Sequence, residues 1–216
     1  MKVIFLHGWG FSKDIFRNYY YLDNSIFLDL PFHGDFKNFE RNNIIENFVD
    51  QLSNMIKEKT TIVGWSLGAS VAVLTALKNP LVEKLILIGF SPKFNDNLLG
   101  SNPKTVKAFM MNLHGNFENT VCQFRKSATG QEFKEIPLPE KEGSKSLLKE
   151  YINLDLTEKL NFISIPTYLI HGDKDLIVNP YSAFYCHEKI PESQLAILDS
   201  NHAPFLERSI FEYIDD

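Results

Sequence analysis

Three residues in this sequence could together carry out nucleophilic chemistry: Ser66, Asp175 and His202. Each follows a short apolar run that reads as a β-strand. Serine is a weak nucleophile at neutral pH and needs a base within hydrogen-bond reach. Histidine titrates in the right range, and a carboxylate fixes its tautomer and stabilises the imidazolium it becomes. Ser66 lies in Gly64-Trp65-Ser66-Leu67-Gly68, between an apolar strand-like run at 61–63 and a helix-like run at 67–77. A strand that turns directly into a helix strains its central residue, and the two glycines remove side chains that would collide there. The serine hydroxyl is then held out at the end of the sheet. Read alone, the same pattern is also that of an ordinary tight strand–helix turn.

Attack on a carbonyl develops an oxyanion, which needs amide donors. The Leu67 amide follows the serine at a helix start. The Trp9 amide lies in His7-Gly8-Trp9-Gly10, a turn after the first strand. Asp173 competes with Asp175 for the acid role. The spacing Gly172-x-x-Asp175 favours Asp175, and Asp173 reads as a turn former. His7 and His171 also end strands, so a metal site with Asp175 and His202 is the competing reading. No pair has helix-type metal spacing, and neither metal nor cofactor is expected. His7 reads as a support for the Trp9 loop, and His33, His114 and His187 as turn or surface residues. The rings of Trp9 and Trp65 flank the serine and either line an acyl pocket or are core aromatics.

These groups need a scaffold that brings strand ends together. Strand-like runs fall at 2–6, 26–28, 61–63, 85–88, 167–170 and 194–198. Helix-like runs fall at 12–20, with Ser12 as N-cap, and at 44–56, 67–77, 181–189 and 205–213, with Pro204 in the first turn of the last. Strand and helix in alternation predict a mostly parallel sheet covered on both faces. Such sheets bind ligands beyond the carboxyl ends of their strands. The alternation breaks over 91–162, where helical pieces and loops replace strands. That stretch is too long for a bare loop and predicts a helical insertion within a single domain, 1–216.

A chain of 216 residues with 44% hydrophobic side chains can bury one sizeable core. A net charge of −5 argues against nucleic acid as the main partner. No apolar run is long enough to span a membrane. The first six residues meet His7-Gly8 too soon for a signal peptide. Cys122 and Cys186 are far apart and read as reduced thiols of a cytoplasmic protein. Charge is uneven. Residues 91–134 hold six Lys/Arg against three Asp/Glu, a net of +3, leaving −8 on the rest. A basic insertion on an acidic body suits an acidic carrier protein or a phosphopantetheine arm. It is also what a solvated helical face looks like.

His7-Gly8-Trp9-Gly10, Asp29-Leu30-Pro31, Gly64-Trp65-Ser66-Leu67-Gly68, Gly172-x-x-Asp175 and His202-Ala203-Pro204-Phe205 together resemble the α/β-hydrolase superfamily. Serine, aspartate and histidine also come in that superfamily's chain order. Within it, the His-Gly-Trp-Gly, Gly-Trp-Ser-Leu-Gly and His-Ala-Pro-Phe wording and the stretch 117–124 resemble the biotin-pathway esterases of pimeloyl-acyl-carrier-protein methyl ester. The resemblance implies an α/β-hydrolase fold with a helical lid and a serine carboxylesterase without metal or cofactor. It implies catalysis by Ser66, His202 and Asp175, and an oxyanion hole from Trp9 and Leu67. Substrate contacts would come from Trp9, Ser66, Leu67, His202 and the segment Phe124, Arg125, Lys126, Ser127 and Ala128. The substrate would be a small or carrier-bound acyl ester, with the basic lid meeting an acyl-carrier protein.

Departures accompany it. No strand hairpin precedes the first strand, which predicts a sheet shorter by two strands at one edge. Phe32 stands where glycine usually follows Asp-Leu-Pro, and Asn201 where glycine often precedes the histidine. Arg125, Lys126 and Ser127 replace more apolar residues. Three other functions compete: a general short-chain carboxylesterase or thioesterase, a lyase or carbon–carbon hydrolase on the same fold, and a non-enzymatic binding module.

Overall fold

Each strand of the sheet forms on a short run of β-branched and apolar residues. The structure, a computed structural model, describes residues 2–215. Strands β1 (Lys2–Leu6), β3 (Thr60–Trp65), β4 (Val82–Ile88) and β5 (Thr167–Gly172) are buried almost throughout, as strands covered on both faces must be. β2 (Ser25–Leu28) and β6 (Ser193–Leu198) are the partly exposed edges. The order is β2-β1-β3-β4-β5-β6, with every pairing parallel.

The chain runs outward from β1 to β2 and then crosses back to β3. This reversal leaves the carboxyl ends of β1 and β3 side by side, with Leu6 paired to Gly64. The loop after β1 and the Ser66 turn after β3 therefore meet where such sheets bind ligands.

Alternate residues of the central strands feed two cores. Ile4, Leu6 and Ile62 pack on one face with α1 (Ile44–Met55) and α2 (Leu67–Lys78). Val3, Phe5 and Val63 pack on the other with Phe16, Trp65 and Phe205. Helix α1 shows its inward face as Ile44, Phe48 and Leu52, four residues apart and buried. Its first amides have no local cap. Instead the Glu150 carboxylate accepts hydrogen bonds from the Ile44 and Ile45 amides, each at 2.9 Å.

Residues 91–162 contain α3 (Pro103–Gly115), α4 (Phe117–Thr129), α5 (Lys141–Asn153) and a 3-10 helix, Thr157–Phe162. Asn116 joins the first two and caps α4, accepting from the Asn119 amide. Gly130, at φ 75°, ends α4 in the left-handed conformation glycine favours. Phe32 also has positive φ, 69°, a conformation that glycine adopts more readily than phenylalanine. Its buried ring is accommodated because Gly143 on α5 has no side chain. A Cβ at Gly143 would lie 2.2 Å from the Phe32 ring.

Helix α6 (Tyr181–Lys189) forms as expected. The closing helix does not run unbroken from 205 to 213. A 3-10 turn, Pro204–Leu206, is separated from α7 (Phe211–Asp215). The cause is Tyr19, whose hydroxyl donates to the Phe205 carbonyl at 3.0 Å and accepts from the Ile210 amide at 3.3 Å. Those backbone groups are thereby withdrawn from an i to i+4 ladder. The first helix keeps its expected span, capped by Ser12 and Tyr20, but it is a 3-10 helix, Lys13–Tyr19, bent at Phe16.

Candidate active site

Ser66 has φ 55° and ψ −120°, a conformation that costs a non-glycine residue on the order of 1–3 kcal/mol. The surroundings enforce it. The Ser66 amide donates to the Ile88 carbonyl at 2.8 Å, and its carbonyl accepts from Ala69 at 2.9 Å. Gly64 and Gly68 permit the crossing. A Cβ on Gly64 would lie 2.5 Å from Ala69 Cα, and one on Gly68 would lie 2.3 Å from the Leu6 carbonyl oxygen. Helix α2 thus starts directly against the end of β1.

His202 Nδ1 donates to Asp175 Oδ2 at 2.6 Å. With Nδ1 so engaged, Nε2 is the nitrogen that can accept a proton. The other carboxylate oxygen, Oδ1, accepts from the Ile177 and Val178 amides at 2.8 and 2.9 Å. His171 Nε2 also approaches Oδ2, at 3.0 Å. Burial would push the Asp175 carboxyl up, but electrostatic attraction to the His202 ring and hydrogen bonds from His171 and His202 outweigh it and hold the carboxyl below its ordinary value. Asp173 meets no imidazole. It faces solvent and accepts from the Ser200 amide, tying the two loops together. The Trp65 indole donates to the His202 carbonyl at 2.8 Å, so the residue before Ser66 anchors the histidine loop. His202 Nε2 is buried without a hydrogen-bond partner among the described residues, so no Ser66–His202 hydrogen bond is made in this structure. Such bonds often tighten only around substrate.

The loop after β1 is held by two buried neutral histidines. His7 donates from Nδ1 to the Gly8 carbonyl at 2.7 Å and accepts at Nε2 from the Leu30 amide at 3.0 Å. His33 repeats the pattern, donating to Pro31 at 2.8 Å and accepting from the Gly10 amide at 3.0 Å. Burial lowers His7 to about 4 and His33 to about 3. His33 therefore lies in a turn, as expected, but it is buried there and not at the surface. The chain reverses through Phe32 and Gly34, both at positive φ, and turns the imidazole inward. Neither the Trp9 nor the Leu67 amide donates to a backbone carbonyl among the described residues, leaving both available to an oxyanion.

A cavity of about 620 Å³ opens above Ser66, with α3, α4 and α5 forming much of its wall. Trp9, Phe109, Phe124 and Leu176 supply apolar lining, and Asn112, Asn116, Asn119 and Gln123 supply carboxamides. Trp9 is a lining residue, whereas Trp65 is buried against Phe11 and Phe205 in the core. Of the segment expected to contact substrate, Phe124 and Ser127 line the cavity. The other three do not. Ala128 packs in the core of the far sheet face. Lys126 is exposed beside Glu132, at 3.9 Å. Arg125 is only 3% exposed. It donates from Nε to the Gly10 carbonyl at 2.7 Å, from Nη1 to Phe133 and Ile136, and from Nη2 to Pro137. It is a pin between α4 and the Trp9 loop, not a substrate contact. The Leu67 side chain and His202 are likewise absent from the cavity lining.

The basic face also shrinks. Arg125 is buried, Lys93 pairs with Asp155 at 2.7 Å, and Lys134 pairs with Glu132 at 3.5 Å. Counted to residue 162, the insertion holds ten Lys/Arg against nine Asp/Glu. Lys104 and Lys107 on α3 remain as exposed cations. Cys122 and Cys186 are both free thiols, the first exposed and the second buried. No helix among the described residues is long and apolar enough to cross a membrane. Phe109 and the carboxamides of α3 and α4 had no sequence signal beyond helical spacing, and Leu176, in the loop after β5, had none.

The alpha/beta hydrolase family profile matches residues 3–215. The pimeloyl-[acyl-carrier protein] methyl ester esterase of Nitrosospira multiformis is 32% identical, over 94% of this chain and 88% of its own. That of Wigglesworthia glossinidia brevipalpis is 28% identical, over 95% and 88%. Among solved structures, an esterase from Exiguobacterium antarcticum superposes with a TM-score of 0.85 at 20% identity, over 100% of this chain and 92% of that one. With its sheet order, its strained serine turn and these relatives, the chain belongs to the alpha/beta hydrolase family, among the carboxylic ester hydrolases.

Proposed function

We propose that this enzyme hydrolyses the methyl ester of a pimeloyl-type acyl chain borne on an acyl-carrier protein, with Ser66, His202 and Asp175 as its triad. His202 Nε2 takes the Ser66 proton as Oγ attacks the ester carbonyl. The Trp9 and Leu67 amides hold the oxyanion. The carbon–oxygen bond to the alcohol breaks, and His202 returns the proton to the leaving oxygen. Water, deprotonated by His202, then releases the acid. The observation that carries the reading is the 2.6 Å hydrogen bond from His202 Nδ1 to Asp175, which leaves a buried, unpaired Nε2 in a chain whose serine sits at the strained turn.

The substrate class rests on the relatives' names and on the cavity. Its size suits an acyl chain, and the carboxamides on α3 and α4 suit the amides of a pantetheine arm. The helices of 91–162 act as a lid over it. No Lys, Arg or His lines the cavity among the described residues, which disfavours a lyase acting on a charged aromatic or dicarboxylate substrate.

The test compares kcat/KM for pimeloyl-carrier methyl ester with that for p-nitrophenyl butyrate. Strong preference for the carrier substrate supports the proposal. Efficient turnover of the small ester with negligible carrier activity reduces the enzyme to a general carboxylesterase.

A further inference from the structure

Three buried polar atoms that lack a hydrogen-bond partner among the described residues belong to groups around Ser66: His202 Nε2, Tyr151 OH and Ser70 Oγ. Native interiors leave few such atoms unpaired, and each asks for an explanation. His202 Nε2 has one in the mechanism above. Tyr151 does not.

Tyr151 sits on α5, 3% exposed, with its ring stacked on Phe94 at 4.8 Å between centroids. It lines the cavity with Ser66 and Trp9. Its hydroxyl faces those of Ser66 and Ser70 but bonds to neither. Ser70 lies one helical turn after Ser66. A hydroxyl facing both therefore sits over the first turn of α2, the end that carries the Leu67 amide. Burial pushes the phenol above its ordinary value, so it keeps its proton and acts as a donor.

We infer that the Tyr151 hydroxyl is a third hydrogen-bond donor to the carbonyl oxygen of the bound ester, joining the Trp9 and Leu67 amides as that oxygen becomes an oxyanion. The inference rests on the serine-esterase reading. A donor unpaired in the free enzyme and paired most strongly in the transition state raises kcat more than it lowers KM.

Tyr151→Phe keeps the ring, its stacking and nearly all its volume. With p-nitrophenyl butyrate, kcat should fall by about 10²-fold, as for the loss of one oxyanion donor, with KM little changed. A trifluoromethyl ketone, which forms a tetrahedral adduct on serine, should lose affinity in parallel, while butyrate binds as before. Wild-type kcat and wild-type ketone affinity in a normally folded Tyr151→Phe protein would overturn the inference and leave the esterase reading intact. So would equal losses of ketone and butyrate binding, which mark a packing role. A wild-type enzyme that hydrolyses neither ester would instead bring down the esterase reading, and the inference with it.

Discussion

The strand ends beneath the cavity and the helices above it are built in opposite ways. Below, nearly every polar group is tied to backbone. Asp175 accepts from two amides and from His202; His7 and His33 each bridge a carbonyl and an amide; and Ser66 is bound into β4. Above, the cavity wall is made of side chains on helix faces, several of them exposed carboxamides. In the proposed mechanism the lower region fixes where bonds are made and broken, because backbone hydrogen bonds leave little freedom. The upper region sets what fits. Arg125 joins the two, with one hydrogen bond to the lower loop and three to carbonyls of the insertion.

If that division holds, substitutions below should destroy turnover without much change in stability, and the joint should cost both. The largest effect is expected for Ser66→Ala, with kcat down by on the order of 10⁶ if the three residues act as a unit and an unfolding midpoint close to wild type. Next is Asp175→Asn, which frees the His202 tautomer and should lower kcat by about 10⁴, read with the same ester.

Arg125→Met sharpens the contrast. It leaves four carbonyls without their donor and should cost about 3 kcal/mol in urea unfolding, together with a fall in kcat as the Trp9 loop loosens. Arg125→Lys should recover only part of either, since an ammonium cannot span four acceptors. Retained stability in Arg125→Met would mean that the cover and the chemical floor are not coupled there.

The smallest effect is on stability against pH. Unfolding frees His7 and His33 to take up protons at the ordinary value of 6.5, whereas in the fold they do so only near 4 and 3. Their contribution is therefore full above pH 6.5 and is lost as the pH falls through those folded values. Urea midpoints should drop between pH 7 and pH 5, and less steeply in a folded His33→Gln variant.

The same division explains what could be read from the sequence. The floor was legible because its devices are local: two glycines around a serine, a histidine before Pro204, an aspartate three residues past Gly172. The apolar runs placed the strands, and alternation placed the sheet. The cover was not legible. Phe124, Arg125, Lys126, Ser127 and Ala128 are consecutive on α4, so the helix turns them to different sides, and only tertiary packing decides which faces the cavity. Charge counting put Arg125 on a docking face, yet it is buried among carbonyls. His33 escaped because a strained reversal at Phe32 folds it inward, and a single sequence carries no mark of that.

The most direct test of the account is a fluorophosphonate probe followed by peptide mass spectrometry. The account predicts one adduct, on Ser66, formed rapidly in the wild type and about 10⁴-fold more slowly in Asp175→Asn. No adduct, an adduct on another residue, or equal labelling rates in the two proteins would contradict it.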